Sequence, residues 1–362
     1  MILERLLSQD LPRSRWLVLA LVIVFVGLAT APFALDGIRA LSVAAKIIVF
    51  IVLVASFDLL LGYTGIVSFA HTMFFGIGAY GAAIALDRLG PHWLSLAIGL
   101  VSALLLSAVL SLVVGLFSLR VRAIFFAMIT LAVASAFQTL ASQLSQITGG
   151  EDGLTYKLPA ALMPSTEYFE SEILGTTIDG RVLTYYLLFV AGVAMFLTML
   201  RLVNSPFGRV LQAVRENEFR AEALGYRVVV FRTLSSVWAS LFATMAGVLY
   251  AIWLRYNGPD TTLSFEVMVD VLLIAVIGGL GSMYGAVVGG ALFLVAQSYL
   301  QDLLTAAGQT LHFIPFATQL LAADRWLLWL GVLFVLSVHY FPNGVVGRLR
   351  EWAWNRQRKE AR

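Results

Sequence analysis

The chain contains no cysteine, which excludes disulfides, thiol catalysis and cysteine-ligated metals. Lysine is scarce: three occur, Lys46, Lys157 and Lys359, and none follows a glycine-rich loop. No GxxxxGKS or GxxxxGKT stretch is present, so the chain does not cradle nucleotide phosphates in that way. Its four histidines, His71, His92, His312 and His339, lack ligand spacing, and no metal site or catalytic residue is expected. Charged residues make up only 12% of the 362, against about 25% in a soluble domain. With 60% hydrophobic residues and a mean hydropathy of +0.89, the composition belongs in lipid. The net charge of +3 does not point to nucleic acid, because the basic residues sit at the edges of apolar runs and form no single patch.

What is present is a series of charge-poor windows, each about the length that crosses a bilayer or somewhat less. They run 16–35, 47–61, 68–86, 92–119, 124–144, 182–200, 233–254, 267–280, 283–300 and 326–341. The first reads as a retained helix, although an arginine-bearing start and small residues also suit a signal peptide. An N-in, C-in arrangement of ten spans leaves 17 of the 24 Lys and Arg on the inside, as the positive-inside bias requires. The expected fold is therefore an all-α polytopic membrane protein with about ten transmembrane helices, some interrupted by glycine. The longest outside loop, 145–181, is acidic, with Glu151, Asp152, Glu167, Glu170, Glu172 and Asp179. The C-terminal tail, with Trp352, Trp354 and nearby arginines, reads as an interfacial anchor.

A charged island, Ser205–Val228, lies between two apolar spans. Phe207, Val210, Leu211 and Val214 fall at i, i+3, i+4 and i+7, one face of a helix over Pro206–Leu224. Ser205 suits the N-cap, Pro206 the first helical position, and Gly225 a left-handed stop. Glu216 and Arg220, four apart, are expected to pair on the outer face. The alternative is a helix lying in the headgroups. Mixed charge beside a short apolar stripe suits docking into a protein groove better. Phe207, Arg209, Val214, Arg215, Glu216, Asn217, Glu222 and Gly225 are the candidate docking residues.

Two stretches concentrate glycine, Leu61–Ala83 and Ile277–Ala291. Such density marks either close helix packing or a broken helix beside a water-filled path. Tyr63, Thr64, Ser68, His71, Thr72, Gln138, Gly278, Gly279 and Gly281 are the candidates for a pathway or gate. Asp58 and Asp270 join them as the ionisable residues nearest the middle of apolar runs, although each lies near the end of its run and could reach water. No intramembrane lysine or arginine is expected to answer these two acids. His71 reads more readily as a satisfied buried histidine than as a ligand.

Taken in order, LLLGYTGIVSFAHTMFFGIGAYGAA, RAIFFAMITLAVASAF, ITGGEDGL, SPFGRVLQAVRENEFRAEALGY and VDVLLIAVIGGLGSMYGAVVGGALF resemble the LivM-type permease of branched-chain amino-acid ABC importers. The resemblance covers roughly residues 40–345. It implies a permease subunit with no enzymatic activity of its own, translocating a branched-chain or other hydrophobic amino acid across the bacterial inner membrane. It further implies a second related permease, a periplasmic binding protein and two ATPase subunits that hold ATP and Mg, with no cofactor in this chain. Ala221, Glu222, Ala223 and Gly225 echo the EAA…G pattern of the coupling loop. The implied organisation is a cytoplasmic segment 1–15, a permease domain 16–341 and a basic cytoplasmic tail 342–362. The permease domain carries a periplasmic loop 145–181 and a coupling loop 203–230. Three departures bear on the substrate: Asp58 stands where such permeases usually have Asn, ITGGEDG is acidic where a neutral segment is usual, and the outside loop through Arg181 and the basic tail are longer than in many members. Urea, another amide or a small organic acid is the alternative cargo. An ion-driven carrier or a passive channel is the alternative class.

Overall fold

The computed structural model describes residues 14–34, 37–118, 123–166, 168, 177–310 and 322–360. Four expectations fall partly or wholly outside them: most of the N-terminal segment 1–15, the inside link 120–122, the loop acids Glu167, Glu170 and Glu172, and His312. The side chain of Trp354 lies outside them as well.

The long helices are α1 (Arg15–Ala34), α2 (Ile38–Thr64), α3 (His71–Leu89), α4 (Trp93–Ser118) and α5 (Ala123–Gln143). After a short turn of helix α6 (Ser145–Thr148), α7 (Gly180–Asn204) crosses back. Two short helices follow, α8 (Pro206–Glu216) and α9 (Glu218–Ala223), and then α10 (Val228–Leu254). The one-turn α11 (Pro259–Thr262) leads into α12 (Phe265–Gly278), α13 (Met283–Thr310), α14 (Trp326–Tyr340) and α15 (Gly344–Glu360). Among the described residues, nine helical stretches are long and apolar enough to cross a membrane. α3, expected as a further span, packs among them but is not one of the nine; its histidine, threonine, glycines and terminal Asp87–Arg88 reduce its hydropathy. It needs less, because most of its residues are buried by neighbouring helices and not by lipid.

α2 is the axis of the bundle. Every residue from Ile47 to Leu60 is buried, the mark of a helix that is apolar all round. Helices α4 and α5 sit at the rim, where Leu105, Ile124 and Met128 are exposed as a lipid-facing surface requires. α3 threads between α10 and α4 on small residues. A Cβ on Gly78 would strike the Thr244 carbonyl, one on Gly247 the Phe75 carbonyl, and one on Gly81 the Ala103 side chain at 2.7 Å. Within the helices, then, glycine serves close packing.

The two ends of the bundle differ. At one end β1 (Leu154–Thr155) pairs antiparallel with β2 (Tyr256–Asn257). This ladder pins the 145–181 loop to the turn after α10. The buried Tyr156 hydroxyl donates to the Ala251 carbonyl at 2.9 Å, and burial raises its pKa. Asp179 caps α7 by accepting the Arg181 and Val182 amides, so this acid of the loop is structural. At the other end Trp16 meets Trp352 at 6.1 Å, Val346 is fully buried, and Gly344 packs on Gly279. The tail is thus an integral helix of the bundle and not only an interfacial anchor.

Candidate functional site

The charged island is a helical hairpin. Ser205 caps α8, with Pro206 at the first position. The expected single helix over Pro206–Leu224 is instead two, because the Asn217 side chain accepts the Arg220 amide at 3.0 Å and starts α9. Glu216 and Arg220 therefore sit on different helices. The ion pair in the segment is Glu218 with Arg232, at 2.8 and 3.0 Å. Gly225 ends α9 in the left-handed region at φ 91. Its amide bonds the Glu222 carbonyl at 2.8 Å and the next amide, Tyr226, bonds Ala221 at 3.2 Å, a Schellman closure.

The apolar stripe of α8 faces its own bundle, contrary to the expectation that it docks onto another protein. Leu211 is fully buried in the main core, Val214 packs with Val210, Ala221 and Val228, and Phe207 stacks on Phe231 at 5.7 Å. The stripe is apolar, as its spacing predicts, but its occupant is α2, α7 and α10. The outward face belongs to residues that periodicity does not single out. Phe219 is 84% and Leu224 71% exposed. Arg209, Glu216, Asn217, Arg220 and Glu222 surround them, also exposed.

Arg215 joins this hairpin to the bundle by donating to the Gly62 carbonyl at the end of α2. One helical turn back, the buried Asp58 carboxylate accepts the Gly281 amide at 2.9 and 3.1 Å. A Cβ on Gly62 would strike both the Asp58 carboxylate and the Gly281 nitrogen. The glycine-rich stretches thus meet here, the end of α2 against the turn between α12 and α13. Gly278 and Gly279 pack closely as well; a Cβ on Gly279 would come within 2.7 Å of the Asn343 carbonyl. They seat the start of α15.

Of the other candidates, His71 and Thr64 are buried and bonded. His71 Nε2 lies 2.8 Å from the Ser56 hydroxyl, with the Phe57 ring edge-on at 5.4 Å, which is the satisfied histidine that the sequence predicts. The Thr64 hydroxyl donates to the Leu59 carbonyl and reaches Ser235 at 3.2 Å. Tyr63, Ser68 and Thr72 are buried beside them. Gln138 lies apart from this group and donates to Asp260 at 3.2 Å near the opposite end.

Asp270 overturns one expectation. Its carboxylate accepts the Gln297 amide at 3.0 Å, and the Gln297 oxygen accepts Lys46 at 3.1 Å. A lysine within α2 does answer a membrane carboxylate. The charge-free window opens at residue 47 and leaves Lys46 out, whereas the helix begins at Ile38 and takes the lysine in.

Against known proteins, the family of branched-chain amino acid transport system permease components matches residues 39–338. The high-affinity branched-chain amino acid transport system permease protein LivM of Salmonella typhimurium is 26% identical, over 85% of this chain and 70% of its own length. The probable LivM of Methanocaldococcus jannaschii is 26% identical over 80% of this chain and 88% of its own. The related LivH of Salmonella typhimurium is 24% identical over 81% and 89%. A helical bundle built around the central helix α2, a charged hairpin at one end and a match across most of the length lead to one conclusion: the chain belongs to the family of branched-chain amino-acid transport permeases.

Proposed function

We propose that this chain is one permease subunit of an ABC importer for branched-chain amino acids in a bacterial cytoplasmic membrane. A second, related permease completes the membrane unit, as the similarity to both LivM and LivH proteins supports. Two ATPase subunits supply ATP and Mg, and a periplasmic binding protein delivers the solute to the 145–181 end. The end bearing the hairpin is cytoplasmic, in keeping with the 17 of 24 basic residues assigned to that side.

The observation that carries the coupling role is the hairpin itself. Its stripe is used inside the bundle, yet it leaves Phe219 and Leu224 bare among charged side chains. Lipid headgroups suit that surface poorly, because Glu216 and Glu222 would face an anionic leaflet; an ATPase groove suits it well. Arg215 links the hairpin to the junction of Gly62, Asp58 and Gly281, so a push on it is delivered to α2 and to the α12–α13 turn. For the push to switch the pathway, the contact must differ in energy between the outward and inward states.

The test is gentle purification of the tagged chain with identification of its companions by mass spectrometry, beside uptake by Glu222→Lys. A second permease and ATPases bearing GxxxxGKS or GxxxxGKT are expected, with uptake lost in the variant and membrane abundance kept. The Lys46–Gln297–Asp270 cluster is the one observation that favours an ion-driven carrier instead. Uptake that survives ATP depletion and collapses with an uncoupler would decide for that reading.

A further inference from the structure

Lys46, Gln297 and Asp270 take no part in the hairpin or the junction, and ionisable groups within a span are costly unless they face a cavity, a path or a partner. Lys46 lies about 12 Å along α2 from Ile38, from the rise per residue of a helix. Above it, at the rim of the same helix pair, Arg39 bonds Asp302 at 2.7 Å and the Ser298 carbonyl at 2.6 Å. Polar contacts therefore run inward between α2 and α13 from the 145–181 end.

All three side chains of the deeper layer are half-buried, in contrast to Asp58 and His71, which are sealed. Among the described residues their bonding capacity is not filled. The Lys46 ammonium has three donors; it gives one to Gln297 and lies over the Phe50 ring at 5.2 Å. The Asp270 carboxylate has about four acceptor sites and takes one bond from Gln297. The Gln297 amide stands between the charges with its oxygen toward the cation and its nitrogen toward the anion. An α-amino acid offers the same order, a carboxylate oxygen and an ammonium nitrogen. Standard bond lengths separate these by about 3 Å, against about 2.3 Å across an amide. Phe50 lies under the Lys46 ammonium as an apolar floor, and Tyr250, whose ring meets it edge-on at 6.3 Å, stands near Asp270.

We propose that Lys46, Gln297 and Asp270 form a station that binds the zwitterionic head of an α-amino acid in transit, its carboxylate on Lys46 and its ammonium on Asp270. Gln297 holds the place between passages and swings aside. This rests on the amino-acid permease reading above.

The experiment uses the importer assembled with its partner subunits in proteoliposomes and tritiated leucine as probe. Lys46→Met and Asp270→Asn are each expected to cut ATP-driven uptake about ten-fold or more, the scale of a lost charge-assisted hydrogen bond. Because the chain has no cysteine, the Lys46→Cys variant carries a single thiol. A methanethiosulfonate bearing an ethylammonium group should label that thiol, restore the missing cation and recover uptake. In the Gln297→Cys variant, which likewise carries a single thiol and keeps both charged partners, leucine should slow the labelling, whereas isoamylamine, which lacks the carboxylate, should not. An assembly carrying the unaltered chain gives the background from partner thiols. If the unaltered importer carries leucine while Lys46→Met transports as well as the unaltered chain, or the thiol of the Gln297→Cys variant is labelled at a rate indifferent to leucine, the cluster is a structural or subunit-interface pair and the station falls alone. An unaltered importer that carries no leucine overturns the function reading, and the station with it.

Discussion

The Asp58 carboxylate holds the backbone amide of Gly281, at 2.9 Å to one oxygen and 3.1 Å to the other. Asp58 is on the central helix and Gly281 in the turn between α12 and α13. Arg215 of the hairpin touches the same spot through the Gly62 carbonyl. Three separate pieces of chain are thus fastened within one helical turn of each other. A packed junction of this kind passes on a rigid displacement and does not absorb it, because interiors at this density deform little.

Asp58→Asn keeps an acceptor for the Gly281 amide. Thermal stability in detergent should fall little, and uptake should persist. Asp58→Leu leaves buried amides without a partner, a loss of about 1–3 kcal/mol. Melting followed by size-exclusion fluorescence should separate the two variants clearly.

Gly62→Ala should be the most damaging small change at the junction. Its methyl would overlap the Asp58 carboxylate and the Gly281 nitrogen, both fixed by the structure. Overpacking of this type costs about 1–3 kcal/mol, and more where backbone must move. Gly78→Ala and Gly247→Ala should behave alike, since each meets a carbonyl of the facing helix. Gly331→Ala, with nothing within 4 Å, is the matched control. Yields of monodisperse protein from the membrane measure the difference.

Phe219→Ser and Leu224→Ser should leave melting unchanged and weaken co-purification of the ATPases, because both side chains are largely exposed. Leu211→Ser should do the reverse. That side chain is fully buried, and its truncation costs about 2–5 kcal/mol. If both kinds of variant lowered stability equally, the outward face would have a role within the bundle.

Arg215→Met removes the link from the hairpin to the Gly62 carbonyl while keeping the aliphatic stem. Partner ATPases should still bind and hydrolyse ATP, but uptake per ATP should drop. Measuring both rates on one proteoliposome preparation tests this directly.

Hydropathy and charge count alone determined the class and the order of the long apolar helices, because lipid imposes a length and a composition on each crossing helix. The caps at Ser205 and Gly225 were equally legible, being set by residues a few positions apart. The tertiary structure decided where each face and each polar group went. The α8 stripe could have met a partner or its own bundle; only the arrangement of α2, α7 and α10 assigns it inward. Asn217 divides the hairpin through one side-chain bond that helical periodicity does not register. Asp58 finds Gly281 across 223 residues and Lys46 finds Gln297 across 251. The physical reason is range. Periodicity and capping act within a turn or two of helix, whereas a buried charge is satisfied by whichever helix packs beside it, and that neighbour is chosen by the whole bundle.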